Sequence, residues 1–199
     1  EVWKSEASNG MKIFGIGQHE LPLVAYSIVI EGGHMLDDPS KPGVARFTAS
    51  MLNEGTKNRT PEQLEEEIQL LGATINIGCS DERITVSVNT LARNFEKTLA
   101  LVQEMLLEPR WDEEQFSLNK TRTINNLKRS LADPNYVAGA AFDKLVMGAD
   151  NVLSVDLSGT VESVEAITMD DLKSFYEKNI SPSVANFLVV GDIDQARVE

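Results

Sequence analysis

The side chains that carry most enzyme chemistry are scarce in this sequence of 199 residues. The two histidines, His19 and His34, lie in predicted turns, without a neighbouring His, Cys or carboxylate at the ligand spacing of a helix. A zinc site built from them would need residues from distant parts of the chain, so both are predicted to be surface histidines. Cys79 is the single cysteine, which excludes an internal disulfide and a cysteine-cluster metal site.

Other short motifs match binding sites only in part. The Gly-Ile-Gly at residues 15–17 lacks the third glycine of a dinucleotide-binding loop, because Glu20 occupies that position. The acidic pair at residues 37–38 and the three glutamates at 65–67 have neither the ligand spacing nor the glycine of a calcium loop. Solvated faces explain these acidic residues better. The residues alone therefore predict an acidic globular domain without an evident active site.

Charge and composition exclude several classes of partner. With 31 acidic and 18 basic residues, the formal net charge is −13, and such a field repels nucleic acid and anionic membrane surfaces. Acidity of this size is better explained by solubility than by attraction of basic substrates. No run approaches the ~18 apolar residues of a membrane span, and no targeting signal is evident. Because the chain starts without Met and stops soon after a predicted strand, we expect it to be part of a longer protein.

Strand signals occur near both ends and in the middle of the chain. Two apolar, partly alternating runs near the N-terminus are separated by a short turn, which predicts two strands joined by that turn. Two further alternating runs enclose the turn at residues 80–82, which predicts a β-hairpin. The predicted strands are residues 11–16, 24–30, 75–79, 84–88 and 184–190.

Helix signals fill the intervening segments. Thr60 is a predicted N-cap, with Pro61 at the first helical position and Gln63 as its capping-box partner. Another helix must end before Pro109, because the residue before a proline disfavours the helical conformation. The predicted helices are residues 44–52, 61–71, 95–108, 112–131, 136–147 and 168–178. Strands grouped with strands and helices with helices predict an α+β fold, in which helices pack on one face of an antiparallel or mixed sheet.

One long segment resembles the zinc-site region of a peptidase family. Residues 32–60, GGHMLDDPSKPGVARFTASMLNEGTKNRT, resemble the corresponding part of the pitrilysin/insulinase-type (inverzincin) zinc metallopeptidases, whose active members carry H-x-x-E-H on the helix. The resemblance implies the metallopeptidase (LuxS/peptidase-like) unit of that family as the fold. It continues over nearly the whole chain, at residues 71–73, 90–95, 109–111, 133–134, 159–160, 175–176 and 190–193.

The sequence departs from the family at the motif itself. By this resemblance, Arg46 stands at the first zinc histidine, Ala49 at the general-base glutamate and Ser50 at the second histidine. The distal zinc-binding glutamate aligns with Asn126. A guanidinium has no lone pair to give to zinc, and neither a methyl group nor an amide can act as general base. No catalytic, cofactor-binding or metal-binding residue is therefore expected in this chain.

The helix that carries Asn126 should still turn toward the former zinc site the face on which the family has its acidic residues. Asn119, at the position of a second family acidic residue, shares that face with Thr123 and Asn126. We hypothesise that Arg46 occupies the former zinc position and donates hydrogen bonds to Asn126 and Ser50. The alternative is an Arg46 side chain that points into solvent, as most arginines do.

The resemblance implies a role beside a catalytic unit. Residues 1–199 are expected to form a single inactive peptidase-like domain, excised from a longer multi-unit zinc protease, with zinc only in the partner catalytic unit. Such a unit would form part of the proteolytic chamber and hold extended peptide or the zinc-bearing half. An independent scaffold or binding protein on the same fold is the alternative, and an active hydrolase that uses other residues is a third. The resemblance also suggests the periplasm or cell envelope.

Overall fold

A six-stranded mixed sheet forms the frame of the chain. The computed structural model describes residues 2–198 and orders the strands β1-β2-β6-β3-β5-β4. All neighbouring strands are antiparallel except β2 and β6, which are parallel. The strands are β1 Val2–Glu6, β2 Lys12–Gly17, β3 Leu23–Glu31, β4 Thr74–Cys79, β5 Arg83–Leu91 and β6 Ala185–Gly191.

The N-terminal part of the sheet differs from its prediction in one respect. The two predicted N-terminal strands are present as β2 and β3, but they do not pair, because β6 lies between them. β1, which the sequence analysis did not find, pairs with β2 at the edge of the sheet. The predicted hairpin is confirmed as β4 and β5, with Ile77 opposite Val86.

Among residues 2–198 there are eight α-helices, of which six match predicted helices and two were not predicted. The capping box is confirmed, because the Thr60 hydroxyl accepts from the Gln63 N–H at 3.3 Å and the Gln63 side chain accepts from the Thr60 N–H at 3.0 Å. The short α6 and α8 were not predicted. Within residues 2–198, the helices are α1 Val44–Met51, α2 Pro61–Leu70, α3 Phe95–Leu107, α4 Glu113–Ser130, α5 Pro134–Met147, α6 Val161–Ala166, α7 Met169–Asn179 and α8 Gln195–Val198. The predicted α+β fold is confirmed.

The sheet has one covered and one open face. Along β3, alternate side chains such as Tyr26 are buried in the core, while those between them are half-buried or exposed. Tyr26 stacks on Phe187 of β6 at 5.3 Å and meets Phe95 of α3 edge to face at 5.6 Å. On the open face, Ile16 and Leu188 remain 42% and 41% exposed. This alternation is the period-two signature of a sheet with one face in the core.

A buried hydrogen-bond network fixes the start of α1. Gly43 is the N-cap and has no side chain to accept from the first helical N–H groups. The Asp37 carboxylate supplies that acceptor, at 2.7 Å from the N–H of Gly43 and 2.7 Å from the N–H of Ala45. The predicted solvated face is therefore wrong for Asp37, because the loop before α1 folds back over the helix end.

His34 completes this network from within the core. Its Nδ1 lies 2.9 Å from Asp37 Oδ2, and its Nε2 lies 3.0 Å from both the Val152 and the Val155 carbonyl oxygens. Both ring nitrogens face acceptors, so His34 is held as the doubly protonated imidazolium. The predicted surface position is wrong for His34, because these tertiary contacts bury it completely.

The charge on His34 results from opposing effects. Burial opposes the charged ring, but the hydrogen bond to Asp37, the charge of that carboxylate and the carbonyls of Val155 and Val152 outweigh it. The pKa of His34 is therefore raised from its ordinary value of 6.5.

Replacing Asp37 should destabilise the whole fold. Asp37→Ala leaves a buried imidazolium and two buried N–H groups unpaired, and we expect it to lower the free energy of unfolding by about 3 to 5 kcal/mol. Urea unfolding followed by circular dichroism measures this change. The exposed neighbour is the control, since Asp38→Ala removes only contacts to Ser40 and should cost less than about 1 kcal/mol. Equal effects of the two substitutions would contradict this account.

The contribution of His34 to stability should depend on pH. Because its folded pKa is raised, the contribution is fully present below the unfolded value of 6.5 and is lost as pH rises through the folded pKa. The difference in unfolding free energy between the natural protein and His34→Gln should therefore be larger near pH ~6 than near pH ~9. A difference that stays constant over this range would show that His34 does not change its protonation.

Candidate functional site

The three residues that the resemblance aligned with the zinc motif lie on α1 with different exposures. Arg46, Ala49 and Ser50 share one side of the helix, as their spacing requires. Ala49 is buried, Ser50 is half-buried and Arg46 is exposed. The opposite side of α1 enters the core through Phe47 and Met51, which are 3% and 0% exposed. Core packing therefore fixes which side of α1 carries these positions.

Helix α4 meets α1 at Asn119. The Asn119 Nδ2 lies 3.3 Å from Ser50 Oγ and 3.3 Å from Glu54 Oε1, and it also approaches Met51 Sδ at 3.8 Å. Asn119 is half-buried between the two helices. The structure thus brings together two of the positions singled out in the sequence, Ser50 and Asn119, through a direct hydrogen bond.

Arg46 and Asn126 do not join this contact. Asn126 is exposed, and its side-chain oxygen accepts a hydrogen bond from Arg129 on the same helix. Across residues 2–198, the Arg46 guanidinium forms neither a hydrogen bond nor an ion pair. The hypothesis that Arg46 donates to Asn126 and Ser50 is therefore wrong, and the alternative of a solvent-exposed arginine describes the structure.

The donor atoms at this place do not fit a zinc ion. Zinc in proteins is bound by thiolate, imidazole or carboxylate ligands. Here α1 and α4 supply a guanidinium, a methyl group, a hydroxyl group and carboxamides, and the one carboxylate they contact, Glu54, accepts from Asn119. In the part of the chain that the structure describes, no group of three or more His, Cys, Asp and Glu side chains is placed to hold a metal ion.

Cys79 lies on β4 and has the properties of a structural thiol. Burial raises its pKa to about 12, with a further increase from the Asp37 carboxylate that exceeds the opposing effect of Arg46. Its Sγ donates to the Ser80 carbonyl at 3.3 Å. A thiol with this pKa is protonated at neutral pH, which makes it a poor nucleophile there.

His19 is a surface residue, as predicted. Its Nδ1 lies 2.7 Å from Asp192 Oδ1, and its Nε2 lies 3.6 Å from Asp194 Oδ1. The hydrogen bond to Asp192 is the main reason why the pKa of His19 is raised. Both carboxylates come from the segment after β6, so this pair stabilises a surface turn.

Asn53 links α1 to the sheet and was not predicted from the sequence. Its Nδ2 donates to the carbonyls of Ala49 and Ile77 at 3.0 and 2.9 Å, and its Oδ1 accepts from the Ile77 N–H at 3.0 Å. An asparagine just after a helix looks like an ordinary C-terminal residue in sequence. Only the approach of β4 gives its side chain a second role.

Comparison with known proteins identifies the family of this chain. The family described as Insulinase (Peptidase family M16) matches residues 17–146. An uncharacterized zinc protease from Rickettsia bellii is 22% identical over 194 residues, which is 98% of this chain and 47% of that protein. The non-peptidase homolog YmxG from Helicobacter pylori is 25% identical over 175 residues, which is 88% of this chain and 40% of that protein.

Solved structures share the fold. An inactive domain of peptidase M16 from Pseudomonas fluorescens aligns over 100% of this chain and 48% of its own length, with a TM-score of 0.94 and 23% identity. The periplasmic protease PqqL from Escherichia coli aligns over 99% of this chain and 22% of its own length, with a TM-score of 0.85 and 20% identity. The chain thus spans about half, or less, of each of these proteins.

The family match includes α1, β4, β5 and α4, and it extends over more than half of the chain. The chain belongs to the insulinase family of peptidases, family M16.

Proposed function

We propose that this chain is a non-catalytic unit of a zinc metallopeptidase, which forms part of the proteolytic chamber and pairs with a zinc-bearing unit of the same family. The observation that carries this proposal is the donor set on α1 and α4. Arg46, Ala49 and Ser50 offer neither the ligands of a zinc ion nor a base to activate water, and Asn119 and Asn126 are neutral amides. The chain by itself is then not an enzyme, and zinc belongs to the partner unit.

An apolar helix supports pairing with a second unit. None of the residues of α5 is buried, although the helix carries several large hydrophobic side chains. Phe142, Leu145 and Val146 lie on one side of α5 and are 63%, 85% and 63% exposed. Contiguous exposed apolar surface of this kind is typical of interaction sites. We call the α5 side formed by these three residues the α5 face.

The open face of the sheet is the matching surface. Ile16, Leu188 and Val190 make the part of it that β2 and β6 form apolar, and within residues 2–198 no helix covers this part. One chain therefore carries both an uncovered apolar helix and an uncovered apolar region of the sheet, and helix and sheet are the two layers of an α+β fold. Two units of this fold can cover both apolar surfaces by reciprocal packing, in which the α5 face of each unit lies on the sheet of the other.

The lengths of the relatives agree with such a pair. The chain covers 47% of the Rickettsia bellii protein and 48% of the Pseudomonas fluorescens structure. Residues 1–199 are therefore proposed to be one unit of a multi-unit zinc protease, and the zinc-bearing unit is either in the same polypeptide or a separate subunit. Peptide substrate would lie between the two units.

We propose a periplasmic or cell-envelope location for the protein. PqqL is described as a periplasmic protease. No helix among the described residues is long and apolar enough to cross a membrane. Fractionation of the source cells tests the location, and recovery in the cytoplasmic fraction alone would contradict it.

The purified chain should neither retain zinc nor cleave peptides. We expect less than about 0.1 zinc per chain by elemental analysis after dialysis against zinc, because the donor set lacks zinc ligands. Quenched fluorescent peptides should be cleaved only when a family unit with intact H-x-x-E-H, from the same polypeptide or the same operon, is added. Stoichiometric zinc together with turnover by the chain alone would overturn the proposal. Turnover by the zinc unit at the same rate without this chain would favour an independent scaffold.

The α5 face should be required for pairing and not for folding. In Phe142→Asp/Leu145→Asp, we expect at least about a tenfold loss of affinity for the zinc-bearing unit, because roughly 1.5 to 3 kcal/mol of burial is lost per side chain. Its unfolding midpoint should stay near that of the natural protein, since both side chains are exposed. Leu70→Asp on α2, at a residue 79% exposed, is the matched control and should pair normally. Calorimetric titration measures the affinities, and unchanged binding by the double variant would exclude α5 from the interface.

A further inference from the structure

β4 is an edge strand whose outer side could accept another strand. Among residues 2–198, it is last in the strand order and pairs only with β5. The unpaired N–H and C=O groups of an edge strand are a template for an extended peptide, which can add to the sheet through main-chain hydrogen bonds. The state of these groups therefore decides whether peptide can bind here.

The pairing with β5 shows which residues face outward. Ser80 donates from its N–H to the Arg83 carbonyl at 2.8 Å, so it belongs to the set of residues that hydrogen-bond across the hairpin. In an antiparallel pair such residues alternate with residues whose N–H and C=O point away from the partner strand. Ile75, Ile77 and Cys79 are the alternate residues, and their main-chain groups point to the free edge.

The side chain of Asn53 occupies the middle of that edge. Its Oδ1 accepts from the Ile77 N–H at 3.0 Å, and its Nδ2 donates to the Ile77 carbonyl at 2.9 Å. These are the two hydrogen bonds that a neighbouring peptide strand would form with Ile77. The carboxamide thus stands in for one residue of an added strand.

A third hydrogen bond fixes the orientation of this carboxamide. Asn53 Nδ2 also donates to the Ala49 carbonyl at 3.0 Å, so both of its N–H groups point at carbonyl oxygens. The reverse orientation would place the amide oxygen against these two acceptors. The Asn53 side chain therefore uses its full donor capacity, and it ties the end of α1, at the former general-base position, to the free edge of β4.

We propose that Asn53 closes the free edge of β4 to extended peptides. A peptide that paired along β4 would have to displace the Asn53 carboxamide from Ile77 and leave the Ala49 carbonyl without its partner. Peptide contacts of this unit are then made outside the β4 edge. The inference goes beyond the proposed function and does not depend on a zinc-bearing partner.

Amide hydrogen exchange of the natural protein tests directly whether Asn53 closes the free edge of β4. By NMR, the Ile77 N–H should exchange at least about tenfold more slowly than the outward-facing N–H groups of Ile75 and Cys79, because it alone has the Asn53 acceptor. Exchange of Ile77 at the rate of its two neighbours would overturn the proposal. This measurement needs no variant, so it is independent of any folding defect.

Opening the edge should create peptide binding. Fluorescein-labelled β-casein, an unstructured protein, is the probe, and its affinity is measured by fluorescence anisotropy. We expect Asn53→Ala to bind it at least about tenfold more tightly than the natural protein, with slowed exchange of the Ile75 and Cys79 amides in the complex. Asn76→Ala is the matched control, since Asn76 lies on the same strand but hydrogen-bonds across to β5 through its main chain.

Three results would contradict the proposal that Asn53 closes the β4 edge. These are unchanged casein affinity in Asn53→Ala, an equal gain in Asn76→Ala, and casein-dependent protection of Ile75 and Cys79 in the natural protein. Near-ultraviolet circular dichroism checks the fold of each variant. If Asn53→Ala does not fold, Asn53→Ser, which is too short to bridge both main-chain groups of Ile77, takes its place with the same expected gain. Failure here leaves the zinc and pairing experiments unaffected, because they do not involve the β4 edge.

Discussion

The buried contact between Asp37 and the start of α1 is the constraint on which the arrangement of this unit depends. A helix that begins at a glycine lacks a side-chain cap, and its first N–H groups would be buried without acceptors. Asp37 supplies the acceptor, and His34 neutralises the resulting charge while it binds the carbonyls of Val152 and Val155. One ion pair thereby joins three separate segments: the loop after β3, the start of α1 and the segment after α5.

This anchoring explains how α1 keeps its place in the fold independently of the residues on its outward side. Phe47 and Met51 pack into the core, and Asp37 holds the end of the helix. Neither requirement involves the outward side, where Arg46 and Ser50 lie. Arg46, which is exposed and forms no hydrogen bond among residues 2–198, can be replaced at little cost to the fold, because surface positions without special contacts contribute little to stability.

Local signals in the sequence predicted much of the fold, whereas distant contacts could not be predicted. The capping box at Thr60 and the β4–β5 hairpin depend on residues close in sequence, and both are present. The position of β6 depends on a partner more than 150 residues away, so the neighbour of β2 could not be inferred. Within the candidate site, Asn119 contacts Ser50, as its predicted place on α4 requires, whereas Asn126 on the same predicted face is exposed and does not. The burial of His34 and the role of Asn53 arise from tertiary contacts without a sequence pattern.

The insertion of β6 between β2 and β3 has a consequence for biosynthesis. The ribosome releases Ala185–Gly191 after the other five strands of this sheet, yet this strand forms ladders with both β2 and β3. Until it emerges, β2 and β3 each have an open side, and the gap between them exposes strand edges that favour wrong pairings. Filling the gap between β2 and β3 also requires contacts with β6, which is distant in sequence, and such contacts form slowly. The nascent unit therefore completes its sheet only after β6 has emerged, and chaperones that shield strand edges would act on it before that point.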